Sequence, residues 1–73
     1  MNREQKSRQR FVDRRLQPLI QAASANDVCA CDYLIYEKQE YVRVRFRSGF
    51  GKRICVEGMS LAELSIACLS ALR

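Results

Sequence analysis

The chain has 73 residues, which is enough for one domain with a small core and too few for a large one. Thirteen basic residues against eight acidic ones give a net charge of +5, which favours an anionic partner or serves solubility alone. No histidine is present, and no segment resembles a secretory signal or a membrane span. We therefore expect one cytoplasmic domain over residues 1–73, with reduced cysteines and with residues 1–8 open to fraying.

A first helix is predicted by apolar residues that recur on one stripe. Asn2 and Gln5 form a weak capping pair before it. Pro18 either kinks the helix near Arg14–Gln17 or begins a second helix, because proline lacks the N–H that would bond four residues back. We expect the segment to end at Asn26-Asp27. The stripe consists of Val12, Leu16, Leu19, Ile20 and Ala23.

Residues Val28–Glu37 are rich in aromatic and β-branched side chains, which predicts a strand. The next three residues, Lys38–Glu40, turn the chain into a second strand. The length of this turn stays open, and with it the face on which the first strand places its side chains. A two-residue turn would put Asp32 opposite Arg47.

The clearest pattern of the sequence is a strict alternation of apolar and basic residues. Val42, Val44 and Phe46 alternate with Tyr41 and three arginines, Arg43, Arg45 and Arg47. A period of two predicts a strand with one apolar face and one face of guanidinium groups. The same period continues through Ile54 and Val56, which predicts a hairpin.

Two glycines flank Phe50 in the turn of this hairpin. Pairing apolar with apolar residues predicts that Ser48 closes on Lys52, around a three-residue loop of Gly49, Phe50 and Gly51 in which Gly51 takes positive φ. Three pairs are then predicted on the basic face: Arg43 opposite Glu57, Arg45 opposite Cys55, and Arg47 opposite Arg53.

A last helix is predicted from Leu61 to near Arg73, because Ser60 and Glu63 have the spacing of a capping box. This helix is apolar nearly all round, which is typical of a helix buried on more than one side. The sequence therefore predicts a homo-oligomer; the alternative is a core helix with no partner. The predicted interface is formed by Leu61, Ile66, Leu69 and Leu72.

The elements follow the order α-β-β-β-α. This order predicts an α+β fold in which a three-stranded antiparallel sheet carries two helices packed on one face.

Catalytic and metal sites are not predicted. Cys29 and Cys31 are separated by a single residue, and Cys55 and Cys68 lie far along the chain, which does not match the paired ligand spacing of a structural zinc site. Without histidine there is no obvious general base for a cysteine nucleophile. We therefore predict a non-enzymatic protein with no cofactor and no metal.

The basic sheet face is the candidate binding site. Guanidinium groups suit phosphates and carboxylates, and neighbouring aromatic rings can stack on a base. The alternative is a solvated face whose charges are satisfied by Glu57, Asp32 and Glu40. The predicted ligand-binding residues are Tyr41, Arg43, Arg45, Arg47, Phe50, Lys52 and Arg53.

The element order resembles that of the double-stranded RNA-binding domain. That family places a lysine cluster at the start of its last helix, where this chain has Ser60, Leu61, Ala62 and Glu63. Its histidine-containing loop has no counterpart here either. The resemblance therefore covers the topology alone and implies a double-stranded RNA- or DNA-binding module as an alternative function.

The C-terminal half resembles small accessory proteins of phages and integrated elements in Gram-positive bacteria. The residues that carry this resemblance are Val56, Gly58, Ser60, Leu61, Ala62 and Leu72. The resemblance implies a small non-enzymatic effector in the cytoplasm of a host cell, which blunts host defence by binding a protein or a nucleotide signal.

Three functions follow from these observations. The first is a homo-oligomeric binding protein, phage-encoded and directed against host defence, that sequesters an anionic nucleotide-like ligand on the basic sheet face. The second is a nucleic-acid-binding module, and the third is an inhibitor that binds an acidic protein surface. None of the three involves a membrane.

Overall fold

The structure is a computed structural model that describes residues 1–25 and 27–72. It contains two α-helices joined by a π-helical turn, then three antiparallel strands and a third α-helix, which confirms the predicted α-β-β-β-α order. The three strands lie side by side in chain order, and the first helical segment and the last helix both pack on the same face of the sheet. The element bounds are α1 Arg3–Phe11, the π turn Val12–Leu16, α2 Gln17–Ala23, β1 Val28–Tyr36, β2 Gln39–Phe46, β3 Gly51–Cys55 and α3 Leu61–Ser70.

The first helical segment is continuous across Pro18. The proline has no N–H to offer the carbonyl of Arg14, and the backbone widens instead, so that the N–H of Gln17 bonds the carbonyl of Val12, five residues back. The π turn covers most of the stretch where a kink was predicted, and Pro18 lies in the first turn of α2, one position after its start and not at the first position predicted for a second helix. The capping pair of Asn2 and Gln5 forms in both directions, at 2.8 and 2.9 Å.

The buried stripe of this segment is narrower than predicted. Val12, Leu16 and Ile20 are fully buried, whereas Leu19 is 54% exposed and Ala23 is also exposed. The sheet and α3 cover only one line of the helix, and Leu19 lies about 100° round the axis from Ile20. Asn26, part of the predicted end of this segment, lies outside the described residues, as does Arg73.

A two-residue turn joins β1 to β2 and settles the register that the sequence left open. Glu37 and Lys38 both have positive φ, +49° and +66°, which is the signature of a type I′ turn. Asp32 consequently lies opposite Arg43 and not opposite Arg47. The turn comes earlier than Lys38–Glu40, because β2 already begins at Gln39.

A bulge near the start of β1 lets residues of both parities reach the core. Val28 lies opposite Phe46, but Ala30 lies opposite Arg45, so Cys29 is an extra residue in the ladder. Val28 and Cys31 are therefore both buried although three positions separate them.

The register of the second hairpin differs from the prediction by four positions. Val44 lies opposite Lys52 rather than Val56, and Ile54 lies opposite Val42 rather than Phe46. The predicted pairs on the basic face are wrong for the same reason, since the sheet pairs Arg43 with Arg53, Arg45 with Gly51, and Tyr41 with Cys55.

The loop of this hairpin explains the shift. It consists of Arg47, Ser48 and Gly49, closed by a bond of 2.7 Å from the N–H of Phe46 to the carbonyl of Phe50. Gly49, rather than Gly51, has the positive φ, +91°. Four is an even number, so the shift leaves the side chains of the paired strand residues on their predicted faces, whereas Arg47 moves from the strand into the loop.

Lys52 shows why pairing apolar with apolar residues chose the wrong register. It lies opposite Val44 on the helix side of the sheet, yet its ammonium group is not buried. The long side chain extends to the end of α3, where Nζ donates to the carbonyl of Ala71 at 2.7 Å. A cation in this position complements the negative end of the helix dipole.

The last helix begins as predicted, at Leu61. Ser60 and Glu63 form the capping box, with bonds of 3.0 and 3.1 Å. Hydrogen bonding to the Glu63 carboxylate, first from the backbone N–H of Ser60 and then from its side chain, holds the pKa of Glu63 below its usual range. Leu64 and Cys68 are fully buried. None of the helices described here is long and apolar enough to cross a membrane.

A buried ion pair fastens the first helix to the sheet. The Nε of Arg8 lies 3.1 Å from Oε1 of Glu40, and the Arg8 guanidinium also donates to the carbonyl of Met59. Tyr33 donates its hydroxyl to the same carboxylate, and burial together with this bond raises the pKa of Tyr33. One network therefore joins α1, β1, β2 and the link before α3.

We predict that Arg8→Ala lowers the free energy of unfolding by about 3 kcal/mol, because it leaves the Glu40 carboxylate buried without its cation. Arg3→Ala is the matched control, since it removes the same group from an exposed position and should change stability by less than about 0.5 kcal/mol. Urea unfolding followed by circular dichroism measures both. Equal midpoints for the two variants would show that the pair does not stabilise the fold.

We also predict that Gly49→Ala destabilises the protein by about 1–2 kcal/mol, because a β-carbon disfavours its left-handed backbone. Gly51→Ala should have a smaller effect, since that backbone is not left-handed and the added carbon meets only the Val44 carbonyl, at 3.4 Å. The same unfolding measurement compares them. A larger loss for Gly51→Ala would argue for the loop that the sequence suggested.

Candidate binding face of the sheet

The sheet has one face without a covering layer, which we call the outer face. The alternation of β2 is as predicted, with Val42 and Val44 buried toward the helices. Their neighbours along the strand, and the cross-strand partners of those neighbours, therefore lie on the opposite side. The outer face consists of Ala30, Asp32, Leu34 and Tyr36 from β1, Gln39, Tyr41, Arg43 and Arg45 from β2, and Gly51, Arg53 and Cys55 from β3.

Arg43 is matched by a carboxylate on the neighbouring strand. Its Nε and Nη2 lie 3.1 and 2.6 Å from the two oxygens of Asp32, in the forked geometry that guanidinium and carboxylate groups prefer. These bonds raise the pKa of Arg43 above its usual range. Asp32 therefore neutralises Arg43, as expected if the basic face is a solvated surface without a ligand.

Arg53 is matched by aromatic rings. Its guanidinium carbon lies 5.4 Å from the ring centre of Tyr36 and 5.7 Å from that of Tyr41, within the range of cation–π attraction. Arg53 also lies directly opposite Arg43, where two like charges disfavour the pairing. The rings and Asp32 offset that repulsion.

Arg45 is placed differently. Its neighbours across the two ladders are Ala30 and Gly51, which have a methyl group and no side chain respectively. It is exposed, and within residues 1–25 and 27–72 its guanidinium has no hydrogen bond or ion pair. The Arg45 side chain therefore has no large side chain directly opposite it on either neighbouring strand.

Three of the predicted ligand-binding residues lie elsewhere. Arg47, Phe50 and Lys52 line a cleft of about 460 Å³ at the end of the sheet, beside the β2–β3 loop. The backbone N–H of Arg47 bonds the carbonyl of Asp27 there, at 2.8 Å. The structure therefore brings Tyr41, Arg43, Arg45 and Arg53 together on the outer face and separates the other three from them.

Glu40 and Glu57, the other two carboxylates expected to neutralise the basic face, form no ion pair with its arginines among the described residues. Glu40 is buried on the helix side with Arg8, and the Glu57 carboxylate accepts a bond of 3.1 Å from the backbone N–H of Glu40. Sequence reasoning missed the Arg8–Glu40 pair, although signals for it exist. Arg8 continues the four-residue spacing of Val12 and Leu16, and Glu40 has the parity of the buried positions of β2.

The four cysteines divide into two pairs. Cys29 and Cys55 are exposed, and Cys55 lies on the outer face opposite Tyr41. Cys31 and Cys68 are buried in the core; burial raises the pKa of Cys31 to about 12 and that of Cys68 to about 11. In the described part of the chain, no three potential metal ligands cluster.

The residues predicted to form an oligomer interface are also divided. Leu69 and Leu72 pack against the chain's own core. Leu61 and Ile66 are 40% and 66% exposed. Leu61 and Ile66 are therefore the predicted interface residues that stay exposed on α3, and the homo-oligomer remains a prediction.

Comparison with known proteins found no matching family model, no matching curated protein and no matching solved structure. The two resemblances drawn from the sequence stay predictions.

We predict that two of the four thiols react quickly with a maleimide in the native protein at pH 8. Cys29 and Cys55 are exposed, whereas burial keeps Cys31 and Cys68 in the unreactive thiol form. Mass spectrometry of the intact protein should show two added labels at short times and four after denaturation. Four labels at the native time point would contradict the assigned core.

Proposed function

We propose that this protein is a small binding protein that captures an anionic, nucleotide-bearing ligand on the outer face, and that the ligand is a single strand of nucleic acid. The observation that carries the proposal is Arg45, an exposed guanidinium on a sheet face with no described partner. A phosphate is the kind of group that such a fork binds.

The charge balance of the outer face supports an anionic partner. Arg43, Arg45 and Arg53 lie on it with one carboxylate, Asp32, among the strand residues that form it. Arg43 and Arg53 lie directly opposite each other, and Arg45 is diagonal to Arg53. A phosphate bound near Arg45 would supply a negative charge to the arginine of this face that has no partner among the described residues.

The aromatic residues support a ligand that carries bases. Tyr36 is 50% exposed and Tyr41 is partly exposed, on neighbouring strands of the same face. A base that stacks on either ring can gain about 1–3 kcal/mol with little regard to its sequence. Leu34, opposite Tyr41, extends this platform with an apolar side chain.

The shape of the face favours a strand over a free nucleotide. Small ligands are usually held in concave pockets that cover most of their surface, whereas the outer face is an open platform of three strands. Tyr41 and Arg45 are four residues apart on β2, a span of about 14 Å, with Arg43 midway. Successive nucleotides of an extended strand can occupy these three positions one after another.

Double-stranded nucleic acid has less support. The helix that would carry the phosphate-binding lysines in the double-stranded RNA-binding domain begins here with Leu61, Ala62 and Glu63. Glu63 would repel phosphates at that place. The open sheet with aromatic and basic side chains is instead the kind of surface on which RNA-binding sheets stack unpaired bases.

Self-association and an anti-defence role are proposals that accompany this one. Ile66 is the most exposed large apolar residue of α3, and a second copy could cover it. A protein that acts by capture needs no catalytic residues, which fits the role implied by the resemblance to phage accessory proteins.

We predict that Arg45→Ala weakens binding of a short fluorescein-labelled single-stranded oligonucleotide by at least about tenfold, because one charge-assisted phosphate contact is lost. Fluorescence anisotropy at low salt measures this affinity. Arg3→Ala, which removes an equal charge from the start of α1, should bind as the wild type does. The logarithmic salt dependence should also fall by about 0.7 for the lost contact.

Three outcomes would count against the proposal. Equal affinities for Arg45→Ala and Arg3→Ala would remove the outer face as the site. No oligonucleotide binding at low salt would exclude the function. If a mononucleotide competes as well as the oligonucleotide, the ligand is a free nucleotide and not a strand. Labelling gives an independent check, since a bound strand should protect Cys55 from maleimide and leave Cys29 reactive.

A further inference from the structure

A second basic surface lies on the other side of the molecule. A groove runs between the first helical segment and the start of α3, and we call it the helix groove. Its wider part, of about 310 Å³, is lined by Ser7, Arg10, Phe11, Arg14, Arg15 and Leu61. Its narrower part, of about 210 Å³, shares Ser7 and Leu61 and continues toward Glu4.

The charged residues that line the wider part are all basic. Arg10, Arg14 and Arg15 are all exposed, and the lining of this part contains no carboxylate. In the described chain none of the three guanidiniums has an ion pair or hydrogen bond. Arg10 and Arg14 are four residues apart on the same helical segment, a spacing at which like charges repel. The groove is therefore arranged to receive negative charge.

The π turn contributes to this concentration of charge. In a regular α-helix Arg15 would lie about 140° round the axis from Arg10. A π turn takes more residues to close, and it brings Arg15 back toward the line of Arg10 and Arg14. Pro18 imposes the wider turn because it cannot bond the carbonyl of Arg14. The proline thus affects how many guanidiniums share one side of the segment.

The floor of the groove is apolar. Phe11 packs against the core with part of its ring still accessible, and Leu61 is 40% exposed. Leu61 lines both parts of the groove and so lies near its middle. An apolar side chain that enters here would cover Leu61 and Phe11, which water otherwise contacts.

The two ends of the groove differ in charge. Glu4 lies at the narrow end and the arginines lie at the wide end. Glu4 and Arg15 are eleven positions apart along the helical segment, a length of about 16 Å. A uniform polyanion along this length would meet repulsion from Glu4. A peptide can match both ends, because its side chains can differ in charge along its length.

We propose that the helix groove docks a short acidic segment of a partner protein, with acidic side chains directed to Arg14 and Arg15 and one apolar side chain resting on Leu61 and Phe11. This site is separate from the outer face of the sheet, and it does not depend on the function proposed above. It would let the protein hold a protein partner while the sheet face is occupied.

The probe for this proposal is a fluorescein-labelled, end-capped peptide with glutamates on one side of a single leucine and a lysine on the other, so that its two ends match Arg14 and Arg15 and Glu4 respectively. It should bind the wild-type protein in fluorescence anisotropy, and the double variant Arg14→Ala/Arg15→Ala should bind it at least tenfold more weakly. Leu61→Ala should weaken binding by a smaller factor, and replacing the peptide's glutamates by glutamines should abolish it. Arg3→Ala is the matched control and should leave the affinity unchanged.

Circular dichroism of the double variant checks that the fold persists, which we expect because both side chains are exposed. Equal affinity of the double variant and the wild type would overturn the proposal. So would equal binding of the glutamine peptide, or the absence of binding up to millimolar concentrations. If a single-stranded oligonucleotide displaces the peptide and loses its own affinity in the double variant, the groove is a nucleic-acid site instead. Loss of oligonucleotide binding in Arg45→Ala alone would leave this proposal untouched.

Discussion

The central strand β2 can bury only one of its two faces, and this constraint determines most of the molecule. Val42 and Val44 supply the buried side, so Arg43 and Arg45 must lie on the other. The Arg8–Glu40 pair then fixes where the first helix crosses the buried side, since a buried carboxylate requires its cation nearby. The helices cannot cover the outer face as well, and the arginines stay accessible to solvent and to ligands.

Much of the fold was predictable because it rests on local patterns. The alternation of β2 and the capping box of Ser60 and Glu63 each involve a few neighbouring residues, and both were confirmed. The hairpin register was not predictable in the same way, because any even shift keeps the valines inside. The choice depended on which glycine takes positive φ and on Lys52, whose side chain reaches past the core to Ala71.

The candidate site was predicted only in part, for a related reason. The side of the sheet on which Arg43 and Arg45 lie follows from parity, but their partners follow from the register. Asp32 reaches Arg43, and two tyrosines reach Arg53, so these cations are already matched within the chain. Arg45 differs because Ala30 and Gly51 offer it nothing. The sequence predicted four arginines on this face. The structure places three there, of which Arg43 and Arg53 have partners and Arg45 has none among the described residues.

The most direct test of the outer face is a nuclear magnetic resonance titration of the ¹⁵N-labelled protein with a single-stranded oligonucleotide. The account predicts that the largest amide shift changes cluster on the three strands around Arg45, at Ala30, Gly51 and Arg53, while α1 is unaffected. Shift changes concentrated between Ser7 and Arg15, with the strands silent, would contradict it.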